Sequence, residues 1–323
     1  MYNEGTLEQI LNHIRYHQTE DLHADEEAIQ KDLKTHSDLY TNLTINGLSV
    51  AGGILASLTF LTFLAMTKLL SSETGLLITG VIFFAVSLIS SRWVTHLLVD
   101  TSMICLYALA YILTGMGIFG LSDSGNYVIM VFLAMSLMSL IFSEHFFLLM
   151  LAVMVFIGSL IAWLILQKAW SLIQLPIIVT GIALFVVSYY EPSILSHNRK
   201  ANISFKALQA GFFLAFLLSL TFIAHASYAE IIIQRQWILS LFIWAGIIIL
   251  TNKQLKVLGI SDTRTKTLVF TLVLLFILPT IFAPYVCGAL FLVLLTFAYG
   301  YRIEFVSGGL LFIYGIIRYY YDL

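Results

Sequence analysis

The length and spacing of the apolar runs constrain this chain more than any other feature. From Leu48 onward it consists of eleven such runs of 15 to 25 residues: 48–70, 75–91, 97–121, 126–142, 146–166, 171–190, 206–226, 237–251, 267–283, 285–301 and 303–321. A helix of roughly 20 apolar residues covers the ~30 Å of hydrocarbon in a bilayer. In lipid every backbone N–H and C=O must be satisfied within the protein, so runs of this length fold as helices. Only 11% of the chain is charged, against about 25% in a soluble domain. Apolar and aromatic residues make up 60% of it, and the mean hydropathy is +0.95. A single soluble core stops growing near ~250–300 residues and could not hide that much apolar surface. The expected fold is therefore all-α, a polytopic transmembrane helical bundle of about eleven transmembrane helices. A soluble enzyme, a nucleic-acid binder and a disordered chain are excluded.

Charge divides the chain in two. Residues 1–44 carry Arg15, Lys31 and Lys34 against nine acidic residues, a balance of −6, and the remainder stands at +4. Within the head, Leu7, Ile10, Leu11 and Ile14 fall at i, i+3, i+4 and i+7, one apolar stripe on a short helix. Ile29, Leu33 and Leu39 form a weaker stripe over 24–40. The expected division is a cytoplasmic amphipathic helical segment, 1–44, and a transmembrane helical domain, 45–323. The acidic head argues against docking on anionic lipid or nucleic acid. It is either a solvated segment lying against the membrane-domain loops or the docking site of a protein partner. Cys105 and Cys287 lie inside separate apolar runs, so neither a disulfide framework nor a zinc pattern is present.

Lysine and arginine set the orientation. With the N-terminus in the cytoplasm, Arg15, Lys31, Lys34, Arg92, Arg199, Lys200, Lys206, Lys253, Lys256, Arg264, Lys266 and Arg302 fall on the cytoplasmic side, and only Lys68, Lys168, Arg235 and Arg318 on the other. The two most basic connections, 191–205 and 252–266, are both cytoplasmic in this register, which is that of a multi-pass inner (plasma) membrane protein.

A charge at mid-bilayer costs a few kcal/mol, so ionisable residues in apolar runs are the natural functional candidates. None sits at the centre of a run. Arg92, His96 and Asp100 are spaced i, i+4, i+8, near one helix face. Asp100 lies about 6 Å of helix rise below His96, where its carboxyl must be paired, hydrated or protonated. Glu144 and His145 form the connection between the fourth and fifth runs, and Arg302 opens the eleventh, both on the cytoplasmic side. The candidate site is thus a polar cytoplasmic-face cluster of Arg92, His96, Asp100, Glu144, His145 and Arg302; the competing reading is interfacial anchoring by internal salt bridges. His225 reads as a hydrogen-bonded structural histidine and Arg318 as a snorkelling anchor beside Tyr319–Tyr321. Gly115, Gly117 and Gly120, and the pairs Gly52/Ala56, Gly158/Ala162 and Gly211/Ala215, read as helix-packing positions. Pro176 and Pro279 are expected to kink their helices. No catalytic residue, metal ligand set or cofactor motif emerges.

The stretch LLITGVIFFAVSLISSRWVTHLLVDTSMICLYALAYILTGMGIFG and the tail GGLLFIYGIIRYYYDL, behind a short acidic N-terminus, resemble the bacterial multi-pass proteins carrying domain of unknown function 4401, related to 2157. The resemblance spans nearly the whole chain and implies a densely packed membrane bundle. It implies no activity and no catalytic residues. The functional expectation is a non-enzymatic scaffold or sensor subunit acting with a partner among membrane lipids. The alternative is a secondary transporter or channel for a small or hydrophobic solute, and a lipid-modifying enzyme is least favoured.

Overall fold

A computed structural model describes residues 43–66, 72–91, 97–195, 199–225, 236–260 and 262–322. The amphipathic head expected over 1–44, Arg92, His96 and part of the 191–205 connection lie outside the described residues. Eleven α-helices are described: α1 (Leu43–Met66), α2 (Glu73–Ser90), α3 (Leu97–Ser122), α4 (Gly125–Phe142), α5 (Phe146–Leu166), α6 (Gln174–Leu195), α7 (Arg199–His225), α8 (Trp237–Val257), α9 (Thr263–Ile277), α10 (Pro284–Tyr299) and α11 (Arg302–Asp322). No strand occurs among the described residues. Eight spans, in α2 to α9, are long and apolar enough to cross a membrane, which marks the protein as membrane-embedded. α10, with 16 residues, is shorter.

The helices pack into two joined cores. In the first, Phe83 and Phe84 of α2, Tyr107, Ala110 and Tyr111 of α3, Met135 of α4 and Leu148 of α5 are buried together. The larger core gathers residues of α5, α6, α7, α8, α10 and α11, among them Ile177, Phe216, Leu220, Ile247, Cys287 and Leu292. α5 contributes to both and joins them. α2 and α3 approach closely. A Cβ on Gly117 would stand 2.7 Å from the Leu77 nitrogen and 2.8 Å from the Glu73 carbonyl oxygen, and one on Gly80 would stand 2.7 Å from the Thr114 nitrogen. Glycine at these positions lets two backbones touch. Gly211 does the same for α7 against Val153 and Met150 of α5, whereas Gly158 has nothing within 4 Å.

α7 starts at Arg199 rather than at 206, and the end of α8 and the two prolines differ from the sequence expectation, each for a local reason. α8 does not end at 251 but continues through Lys253 and Lys256 to Val257; the half-buried Lys253 stem packs along the bundle while its ammonium group reaches the Tyr189 and Tyr299 rings. Pro176 is the third residue of α6, in the first turn, where its missing N–H has no intrahelical partner to lose, so it causes no kink. Pro279 falls in a 3₁₀ turn, Leu278–Phe282, that makes α9 and α10 two helices rather than one broken one.

Asp262 caps α9: its carboxylate accepts from the Arg264 and Thr265 N–H groups and from the Thr265 hydroxyl. These bonds, the Thr265 hydroxyl foremost, favour the charged form and hold its pKa below the ordinary aspartate value. A depressed folded-state pKa means that the cap stabilises above the ordinary aspartate value and is lost as pH falls through the lower folded value. In Asp262→Ala the Arg264 and Thr265 amides should lose hydrogen-exchange protection at neutral pH. Asp262→Asn, which keeps an acceptor, should largely retain it. Equal protection in both variants would contradict the cap.

Candidate polar site at one end of the bundle

Successive helices alternate in direction, so the starts of α3, α5, α7, α9 and α11 gather at one end of the bundle with the ends of α2, α4, α6, α8 and α10. Asp100 lies in the first turn of α3. His145 is the residue before α5, extended at φ −85 and ψ 131, and its carbonyl accepts the first bond of that helix from Leu149 N–H. The two side chains meet: His145 Nε2 stands 3.8 Å from Asp100 Oδ2, with the side chains 17% and 27% exposed. Asp100 Oδ1 and His145 Nδ1 are buried and have no hydrogen-bond partner among the described residues. Ser143, itself buried, accepts from the His145 N–H through its hydroxyl. The contact is an ion pair when the imidazole is protonated.

Of the six residues singled out in the sequence, the structure brings together these two. Glu144 is exposed beside them. Arg302 is exposed at the start of α11, a helix that packs on α10 and α7 rather than on α3. Among the described residues the basic side chain that meets Asp100 is therefore His145 and not Arg302. Two turns further along α3, about 10 Å deeper, Tyr107 donates to Ser139 Oγ at 2.7 Å and shares a 3.0 Å hydrogen bond with Tyr111. All three are buried, so the bundle interior below the ion pair carries hydroxyls that satisfy one another.

A second polar assembly at the same end was not visible in the sequence. Lys253 donates to the Tyr299 hydroxyl at 2.8 Å and lies over the rings of Tyr189 and Tyr299, 4.7 and 4.3 Å from their centroids. This bracket holds a lysine by cation–π attraction. Tyr299 stacks on Tyr301, whose hydroxyl donates to Glu191. The only signal in the sequence was a tyrosine cluster at helix ends, which also suits a membrane-interface belt.

At the opposite end, His225 Nδ1–H donates to the Thr221 carbonyl and Nε2 accepts from the Tyr314 hydroxyl, both at 2.8 Å. Arg318 is 9% exposed and donates through Nε to the Ala224 carbonyl. It ties α11 to α7 and does not reach outward as a snorkelling anchor would. Among the described residues no three His, Cys, Asp or Glu side chains come together as a metal site.

The family described as Domain of unknown function (DUF4401) matches residues 42–323. The chain belongs to the DUF4401 family. The match starts one residue before α1 and takes in all eleven described helices, so the Asp100–His145 pair and the Lys253 bracket both lie inside the DUF4401 region. No curated protein and no solved structure matches the chain.

Proposed function

We propose that this DUF4401 protein is a non-enzymatic scaffold or sensor subunit of the inner membrane, which meets a protein partner at the bundle end carrying Asp100 and His145. The observation behind this reading is the half-satisfied pair itself. A buried polar atom without a partner costs about 1–3 kcal/mol, and among the described residues a carboxylate oxygen and a ring nitrogen here have none. An arrangement that weakens the fold is retained where it serves something else, and the pair sits at a helix end where a docking surface can reach it. The acidic head, with nine carboxylates in 44 residues, lies on the same side in the proposed topology and suits a basic partner. Below the pair, the Tyr107, Tyr111 and Ser139 hydroxyls bond to each other.

A photo-crosslinking residue at exposed Glu144 tests the reading in cells. It should give one discrete adduct, and Asp100→Asn should reduce that adduct at least tenfold with the amount of folded protein within twofold of the parent. An unchanged adduct in Asp100→Asn, or loss of the protein itself, contradicts the proposal.

The second reading, a secondary transporter or channel for a small or hydrophobic solute, draws on the apolar crevice of about 520 Å³ between α9 and α10, lined by Leu272, Phe276, Leu290 and Leu294. Reconstituted vesicles that move a tail-labelled lipid or an ion faster than empty vesicles would favour it over the scaffold.

A further inference from the structure

α9 is the least embedded span of the bundle. Of the apolar stretch Thr263–Phe282 only 11% is buried, against 17–50% in the other seven spans, and within α9 itself only Ile277 is buried. The helix packs on α8 and on the 3₁₀ turn that follows it. Between it, α8 and α10 lies the apolar crevice of about 520 Å³, none of whose lining residues has a polar side chain. Pockets that take small molecules run to ~300–1,000 Å³. Leu272 lines this crevice and also borders a second hollow, which follows α9 past Thr271, Leu268 and Thr267 to Arg264. The helix rise from Arg264 to Phe276 is about 18 Å, close to the ~15 Å of one leaflet in a bilayer with ~30 Å of hydrocarbon.

The polar end of this path is cationic. Residues 252–266 hold Lys253, Lys256, Arg264 and Lys266 against Asp262 alone, a balance of +3. The Asp262 carboxylate is committed to the α9 cap, and Lys253 to the Tyr189 and Tyr299 rings. Lys256 and Arg264 are exposed, and neither they nor Lys266 has an ion-pair partner among the described residues. A second transmembrane helix suits the same face poorly. None of the 15 residues of α9 is glycine, alanine or serine, the residues that let helix backbones approach closely in a membrane. The Thr267 and Thr271 hydroxyls donate to carbonyls of their own helix, Thr263 and Thr267, at 2.9 and 2.8 Å, so they are not held ready for a neighbour. Free cations at the mouth of an apolar path one leaflet deep complement an amphiphile with a negative head and acyl tails.

We infer that this face of α9 binds an anionic phospholipid from the leaflet at the polar end of the bundle. Its phosphate sits at Arg264, in the field of Lys256 and Lys266, and an acyl chain follows Leu268 and Leu272 into the crevice between α9, α8 and α10. Basic residues at a membrane surface attract anionic lipid, and the crevice adds apolar contacts that a lipid on a smooth helix surface would lack. The bound lipid fastens to the bundle a helix that the chain itself holds by few buried residues. The inference depends neither on the partner proposed for Asp100 and His145 nor on movement of a solute through the crevice.

The test uses the purified full chain, stripped of lipid in a neutral detergent. Phosphatidylglycerol and phosphatidylcholine with the same acyl chains are titrated separately, and bound lipid is counted by native mass spectrometry. One phosphatidylglycerol should bind saturably and at least ~tenfold more tightly than phosphatidylcholine. Arg264→Gln changes an exposed side chain and leaves the backbone bonds of the Asp262 cap in place. It should bring phosphatidylglycerol to within about twofold of phosphatidylcholine. Leu272→Trp, at an exposed position that borders both hollows, should weaken both lipids. Excess inorganic phosphate, which has no chain to seat, should not displace the lipid. Equal affinity for the two lipids in the parent protein would overturn the inference, as would an undiminished preference in Arg264→Gln or displacement by phosphate. A chain that forms α9-to-α9 cross-linked dimers in the same detergent, without a lipid preference, would give the face to a second copy and overturn it equally.

Discussion

Gly117→Ala should lower the stability of the folded bundle by about 2 kcal/mol, although alanine is the better helix former. The propensity gain on replacing an interior glycine is about 1 kcal/mol. Against it stands a Cβ placed 2.7 Å from the Leu77 nitrogen and 2.8 Å from the Glu73 carbonyl oxygen. Both atoms are backbone, so no side-chain rotation relieves the clash and α2 must move away from α3. Overpacking of this kind costs about 1–3 kcal/mol, and the upper end applies because the move also opens the contacts of buried Phe84 and Tyr107. Two controls separate packing from propensity. The three atoms nearest the Gly120 Cβ position all belong to the Glu73 side chain, which can swing aside, so Gly120→Ala should be close to neutral. Gly309 has nothing within 4 Å, and Gly309→Ala should be neutral or stabilising by up to ~1 kcal/mol. Denaturant midpoints in one detergent, read for all three variants, check the order. A Gly117→Ala protein as stable as Gly309→Ala would show that α2 and α3 do not approach this closely.

The number and placement of the helices were legible in the sequence because apolar run length alone decides them: each of the eleven runs became one helix. The ends were less legible. Lys253 and Lys256 read as loop residues because they are charged, yet a lysine stem packs as a hydrophobe, and α8 runs on beneath them. Pro176 read as a kink because the apolar run starts at 171, whereas α6 itself starts at Gln174. The meeting of Asp100 and His145 was within reach, since alternating helices put the start of α3 and the start of α5 at one end. The Lys253 bracket was not. It needs the ends of α6, α8 and α10 to converge, and apolar helices of similar composition carry no mark of which neighbours they choose. The Gly80–Thr114 approach was hidden for the same reason: a small-residue position shows that a helix can be approached closely, not by which partner. Gly158, with open space around it, reads in sequence no differently from Gly211, which is packed tight.

The orientation of the polar end is the step that joins the fold to the proposed function. A partner and a cytoplasmic head both require that Asp100 and His145 face inward. The twelve-to-four distribution of basic residues predicts this, and helix alternation then fixes every other connection.

Thiol labelling from one side of the membrane tests that step most directly. In a background with Cys105→Ser and Cys287→Ser, one cysteine is placed at Glu144, between α4 and α5 at the polar end, or at Gln167, just past α5 at the other end. Both positions are exposed. An impermeant maleimide added to intact cells should label Gln167→Cys fully and leave Glu144→Cys unlabelled until the membrane is opened. Labelling of Glu144→Cys in intact cells, with Gln167→Cys protected, would turn the bundle over and remove the cytoplasmic site. Labelling of both from the same side would contradict α5 crossing the membrane at all.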